Sequence, residues 1–139
     1  MKVEAIMIGE SHALRAVDSV DAVAGCGLAG DRHFRPGGQR AGGAITLIEA
    51  EALEDVGLSG PQSRRQIVVR GVRLNDLVGR RFKLGGIECL GVELCEPCLH
   101  LQSLTRPGII DDLLHRGGLN ADLIGSGTIA VGDAIELYD

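Results

Sequence analysis

The segment Cys95-Glu96-Pro97-Cys98 carries the residue types with the most chemical potential in this chain. A thiolate, not a thiol, attacks sulfur or binds a soft metal, and the partial positive charge at a helix start helps a cysteine ionise. Residues 87–94 alternate as a strand does and deliver the chain to Cys95, while Pro97 suits the first turn of a helix containing Cys98, Leu99 and Leu101. Cys98 is therefore the candidate nucleophile. Glu96 opposes its ionisation, whereas His100 or an arginine brought in by the fold favours it. Cys89 falls on strand spacing and is expected in the core, Cys95 also suits the end of a buried strand, and Cys26 lies in a Gly25-Cys26-Gly27 turn.

Two other uses of the thiol pair compete with a single reactive thiol. Zinc would draw on Cys95, Cys98, His100 and His115, but a structural zinc site usually joins two well-separated knuckles, and no second CxxC exists. Thiol redox chemistry fits better, because a CxxC with proline before its second cysteine, at a strand-to-helix junction, makes one thiol acidic in disulfide oxidoreductases. Those proteins carry the motif early in a βαβ unit, however, and here it follows several short strands.

Two loops could bring partners to the thiol. Gly27-Leu28-Ala29-Gly30-Asp31-Arg32-His33 combines a permissive backbone with a carboxylate, a guanidinium and an imidazole, although it lacks the spacing of a phosphate or dinucleotide fingerprint. It reads equally as a turn organised by Asp31. Ser63-Arg64-Arg65-Gln66 precedes the apolar run at 67–69, so alternation predicts that only one of the two arginines faces a given cavity. An arginine there suits a phosphate or carboxylate.

The elements that position these residues are short. Residues 3–8 and 14–23 predict a strand hairpin, the second strand with a bulge, and residues 25–43 a long glycine-punctuated loop. A strand at 44–48 leads into a helix at 49–56 stopped by Gly57. Strands follow at 67–69, 81–84 and 87–94, with a helical turn at 74–78. A short helix is expected at 109–114, then strands at 119–124 and 134–138 separated by a turn at 127–133. Many short strands, glycine turns and brief helices favour a closed or nearly closed β-barrel: a mixed α/β, mainly β architecture with short peripheral helices.

Composition bounds the rest. The 139 residues suit one domain, and 45% hydrophobic with 2% aromatic content predicts a core of Val, Ile, Leu and Ala. Few rings and a net charge of −5 argue against nucleic acid and anionic membranes as partners. The charge is uneven, for residues 32–83 carry ten Lys or Arg against five acids, which makes an anion site there plausible. No apolar stretch is long enough to span a bilayer and no signal-like run opens the chain, so the expected location is cytoplasmic, with the four cysteines as thiols.

The order of these motifs resembles the MOSC domain, named for the C-terminal part of molybdenum cofactor sulfurases. The resemblance rests on residues 27–33, the Thr46 strand with its acidic helix, Arg64-Arg65-Gln66-Ile67-Val68-Val69-Arg70-Gly71, Leu74-Asn75-Asp76-Leu77-Val78-Gly79, Phe82-Lys83-Leu84-Gly85, Glu96-Pro97-Cys98 and the closing residues 127–135. It covers nearly the whole chain as a small stand-alone member. It implies a β-barrel-like fold whose single family cysteine, matched by Cys98, carries sulfur as a persulfide or ligates molybdenum. The glycine-Asp loop and arginine pair of the family map onto Asp31, His33, Arg64 and Arg65. With Gln66 and Arg116 added, Asp31, Arg64 and Arg65 make the candidate set for binding the molybdenum cofactor (molybdopterin). Gln66 departs from the Asn of many relatives, and Cys95 is outside the family pattern.

Three functions follow as expectations. In the first, Cys98 accepts sulfur from a pyridoxal-phosphate-dependent cysteine desulfurase, a domain this chain lacks, and passes it to a molybdoenzyme or its cofactor as a sulfurtransferase, with His33 or His100 moving protons. In the second, the barrel binds molybdopterin or a related anion without turnover. The third is a Cys95–Cys98 redox pair.

Overall fold

A computed structural model describes residues 1–10 and 13–138. The chain runs β1 (Lys2–Glu10), β2 (Ala13–Val17), β3 (Ser19–Val23), β4 (Gly27–Leu28), β5 (Ile45–Glu49), α1 (Ala50–Val56), α2 (Gly60–Ser63) and β6 (Ile67–Arg70). After a 3-10 turn at Leu74–Leu77 come β7 (Arg81–Leu84), β8 (Ile87–Leu94), α3 (Leu99–Leu104), α4 (Ile109–Asp112), β9 (Leu119–Leu123), β10 (Gly127–Ala130) and β11 (Ile135–Leu137).

Eight strands form a mixed sheet in the order β11-β7-β8-β9-β5-β6-β1-β2. Among its pairings only β5 with β6 is parallel, as a crossover through α1 and α2 requires. The sheet curls until its first and seventh strands meet. Lys2 bridges Ala134, Val3 N–H donates to the Asp133 carbonyl at 2.8 Å, and Ile135 N–H donates to the Met1 carbonyl at 3.1 Å. Seven strands thus close into a barrel-like ring, with β2 outside it. The fold is mixed α/β and mainly β, as the glycine-punctuated strand pattern predicts.

Alternation explains which side chains fill the ring. Along β8, Ile87 and Cys89 are buried and Glu88 and Leu90 less so, and Phe82, Leu84, Ile6, Leu47, Ile67 and Leu119 complete the interior. A second sheet, β10-β3-β4, adds Val20, Ala22, Leu28 and Ile129 to the same core. Outside the ring, α1 packs Leu53 against Met7, Ile48 and Val68. The other face of α1 presents Ala52 to Leu101, Ile109 and Leu113, and this small cluster seats α3 and α4. Gly57 ends α1 in the left-handed region at φ 73°, its N–H bonded to the carbonyls of Glu54 and Leu53.

Four expectations need correction. Residues 14–23 are two strands rather than one bulged strand, because β2 pairs with β1 while β3 leaves at Asp18 to join β10. The expected turn at 127–133 contains that partner strand, β10, and only its end turns back. The long loop includes β4, which pairs with β3. A helix, α2, precedes β6 where none was expected: Ser59 and Gln62 form a capping box around it, with Pro61 in its first turn.

Candidate functional site

A cleft of about 340 Å³ opens where the β4–β5 loop, the end of α2 and the segment after β8 converge. Arg32 and His33 come from the loop, Thr46 from β5, Arg64 and Arg65 from the α2–β6 junction, and Cys95, Cys98, His100 and Leu101 from the thiol segment. Five candidates from the sequence, Cys98, His33, His100, Arg64 and Arg65, therefore share one cavity. Asp31, Gln66 and Arg116 do not line it.

Both arginines reach the cleft because the backbone before β6 is not extended. Arg64 caps α2 in the left-handed region at φ 59°, which costs a non-glycine residue about 1–2 kcal/mol, and this bend replaces the expected alternation. Arg65 is buried and fixed: Nε donates to the Gly117 carbonyl at 2.7 Å and Nη2 to the Cys95 carbonyl at 3.2 Å. The Gly117-Gly118 strand entry fits there because side chains would not. A Cβ on Gly117 would strike the Cys95 carbonyl oxygen, and one on Gly118, at φ 120°, the Leu47 carbonyl oxygen.

Asp31 and Gln66 form the frame behind the cleft. Asp31 Oδ1 accepts from Gly9 N–H at 3.1 Å, and Oδ2 accepts from His33 N–H at 3.1 Å and Gln66 Nε2 at 2.7 Å. Gln66 Oε1 in turn accepts from Thr46 N–H at 2.9 Å, while Gln66 N–H donates to Thr46 Oγ1 at 3.0 Å. The longer amide at 66 thus spans from β5 to the His33 loop. Arg116 lies elsewhere, paired with Asp55 on α1 at 2.9 Å. His115 is tied to Glu96, Nδ1 to Oε2 at 2.9 Å, so the Glu96 charge is engaged by the 113–118 turn.

The thiols differ sharply. Cys98 is exposed on the cleft, Cys95 is half-buried, and Cys89 is fully buried in the barrel. Burial pushes the Cys95 thiol up, against a smaller lowering effect of Arg65. Cys98 is the residue before α3 rather than within its first turn, with φ −130° and ψ 172°, and Pro97 precedes the helix too. Both Cys95 and Cys98 line the cleft, and both are free thiols. Among the described residues no group of three or more His, Cys, Asp or Glu is placed to hold a metal.

The cleft is cationic, and its bases differ in state. Desolvation, and then the charge of Arg32, hold the His33 imidazole below its usual value, so it is neutral at pH 7. Arg32 also has its guanidinium pushed down by burial. Its Nη1 is buried without a hydrogen-bond partner among the described residues, 3.7 Å from Asp31 Oδ1. Arg32 was not singled out from the sequence as a site residue. Its position beside Asp31 in the glycine loop was the available signal.

No protein-family model and no curated protein matches the sequence. Solved structures do match the fold. The YuaD protein from Bacillus subtilis superposes with a TM-score of 0.81 at 20% identity, covering 99% of this chain and 96% of that one. YiiM from Geobacillus stearothermophilus gives 0.73 at 16% identity over 99% of this chain and 75% of its own, and YiiM from Escherichia coli 0.70 at 16% over 100% and 70%. Among the described residues no helix is long and apolar enough to cross a membrane. At these identities the likeness concerns fold alone, and the chain has a MOSC-like fold in common with YuaD and YiiM.

Proposed function

We propose that the protein is a sulfur carrier of sulfurtransferase type, in which Cys98 holds a persulfide for delivery to a molybdenum cofactor or another metal–sulfur centre. The observation that carries this reading is an exposed thiol on a cleft lined by Arg32, Arg64 and Arg65. Guanidinium groups attract an anionic acceptor such as a pterin phosphate. The acceptor is the substrate of this transfer. Its fit rests on the soft sulfur of Cys98, the three arginines and the Nη1 of Arg32, which has no hydrogen-bond partner among the described residues.

The loading step balances without an oxidant. The Cys98 thiolate attacks the outer sulfur of a donor persulfide; the Cys98–S bond forms as the donor S–S bond breaks, and the donor leaves as a thiolate that takes a proton. A pyridoxal-phosphate-dependent cysteine desulfurase is the donor of matching chemistry. Neutral His33, which like His100 lines the same cleft as Cys98, takes the Cys98 proton on this reading. Delivery as sulfide needs two electrons, supplied by an external thiol that takes the Cys98 sulfur into a mixed disulfide as the sulfide leaves. The working compartment on this reading is the cytoplasm.

Intact-mass measurement after incubation with a cysteine desulfurase and cysteine tests the carrier. One sulfur, about 32 Da, is expected on the wild type and absent from Cys98→Ser. An unmodified wild type, or an adduct that survives the substitution, overturns it.

The buried Arg32 Nη1, without a hydrogen-bond partner among the described residues, also favours a second reading, a module that binds molybdopterin or a related anion without turnover. Bound molybdenum or pterin fluorescence in purified protein, or a rise in Tm with added cofactor, supports it, and the absence of all three rejects it.

A further inference from the structure

His33 lines a second cavity besides the thiol cleft, one of about 370 Å³ whose walls are the loop residues Arg35, Gln39 and Arg40 with Gly38 and Gly43. Among the described residues no carboxylate lines either cavity. The separation is unusual in a chain of net charge −5. Elsewhere arginines hold acids closely: Arg70 with Glu4 at 2.6 Å, Arg106 with Asp112 at 2.8 Å, Arg81 with Glu88 and Arg116 with Asp55 at 2.9 Å.

The loop is a built wall. Gln39 Nε2 donates to the carbonyls of Cys26, at 3.1 Å, and His33, and Gln39 N–H donates to the Gly25 carbonyl at 2.7 Å. Arg35 Nη1 donates to the carbonyls of Arg32 and Phe34, both at 3.2 Å, which fixes its guanidinium without cancelling its charge. Neither Arg35 nor Arg40 forms an ion pair among the described residues. Unneutralised guanidinium groups on a bonded loop are a recognition surface for phosphate oxygens.

We propose that the two cavities form one elongated site, joined at His33, for a ligand with phosphate groups in both: a diphosphate ester rather than a monophosphate. The proposal rests on the sulfur-carrier reading for the end of the ligand at Cys98. It adds that Arg35 and Arg40 hold the distal phosphate and set the preferred ligand length.

Calorimetric titration with inorganic phosphate and inorganic tripolyphosphate, at fixed ionic strength, tests this with sulfur-free probes. Its outcome is therefore independent of whether Cys98 accepts sulfur. Wild type is expected to prefer the chain, and Arg35→Ala/Arg40→Ala to lose roughly tenfold in tripolyphosphate affinity while changing phosphate affinity little. Arg40→Glu alone, which leaves the Arg35 carbonyl bonds in place, is expected to act in the same direction. A control, Arg15→Ala/Arg80→Ala, removes equal charge elsewhere. An equal loss in the control, an unchanged chain-to-phosphate preference in the loop variants, or no preference in wild type overturns the proposal.

Discussion

Gln66 Nε2 donates to Asp31 Oδ2 at 2.7 Å across 35 residues of sequence, and both side chains are buried. The direction of that bond is fixed at its other end, where Gln66 Oε1 must accept from Thr46 N–H. Asp31 therefore has to be an acceptor at both oxygens. In Asp31→Asn the new amide nitrogen confronts a donor whichever way it turns, and flipping Gln66 would orphan Thr46 N–H. The expected cost is about 1–3 kcal/mol. Urea denaturation should show a lowered midpoint with unchanged slope, and a midpoint equal to wild type would mean that this network does not hold the loop. Gln66→Asn, shorter by one methylene, should lose one of its two contacts and lie between them in stability.

Arg65 links stability to the position of the thiol segment. Because Nε and Nη2 hold the carbonyls of Gly117 and Cys95, Arg65→Lys retains charge but a single ammonium cannot replace the fork. About 1–3 kcal/mol of lost stability is expected from the unpaired carbonyls. Gly117→Ala should be costly for a different reason, since its Cβ meets the Cys95 carbonyl and lies 2.9 Å from Pro97 Cδ. Overpacking of this kind costs about 1–3 kcal/mol and should displace residues 95–97. Thermal melting with Cys98 alkylation rates measures both effects; wild-type values in either variant would refute the strap.

Much of this is legible in the sequence, and the rest is hidden for definite reasons. Gly57 stops α1 where expected because left-handed backbone at that position favours glycine. Strand β10 is hidden in the sequence because Gly127-Thr128-Ile129-Ala130 is short and exposed on one side, and its partner β3 lies over 100 residues earlier. The cavity could be guessed from Cys98 and the arginine pair, but the αL bend at Arg64 depends on how α2 ends. Asp31 and Gln66 looked like ligand-binding groups because sequence shows residue type and not which hydrogen bonds are already taken.

The unequal exposure of Cys95 and Cys98 sets what oxidation can do. Because Cys98 is exposed while burial raises the half-buried Cys95 thiol, glutathione disulfide should produce a mixed disulfide on Cys98 rather than an internal bridge. Non-reducing peptide mapping distinguishes the two products. A dominant Cys95–Cys98 bridge would favour the redox reading. Under brief iodoacetamide treatment the same exposure difference predicts that Cys98 labels first, Cys95 more slowly because burial raises its thiol, and Cys89 only on unfolding.

Cys89 supplies a pH signature of the barrel interior. Burial pushes its thiol up to about 12 from an ordinary value of 9.0, with only a small opposing effect from a backbone hydrogen bond. The raised value favours the protonated form in the folded state. Its contribution to stability is fully present below pH 9 and is lost as pH rises from 9 towards 12, because the unfolded thiol ionises first. The slope from this one group is about −1.4 kcal/mol per pH unit within that window. Cys89→Ala removes the titrating group at the cost of a small cavity, so its stability at pH 8 should be somewhat lower and its decline above pH 9 shallower than that of wild type. Parallel alkaline declines in the two proteins, measured by urea denaturation at successive pH values, would place the titration on some other group.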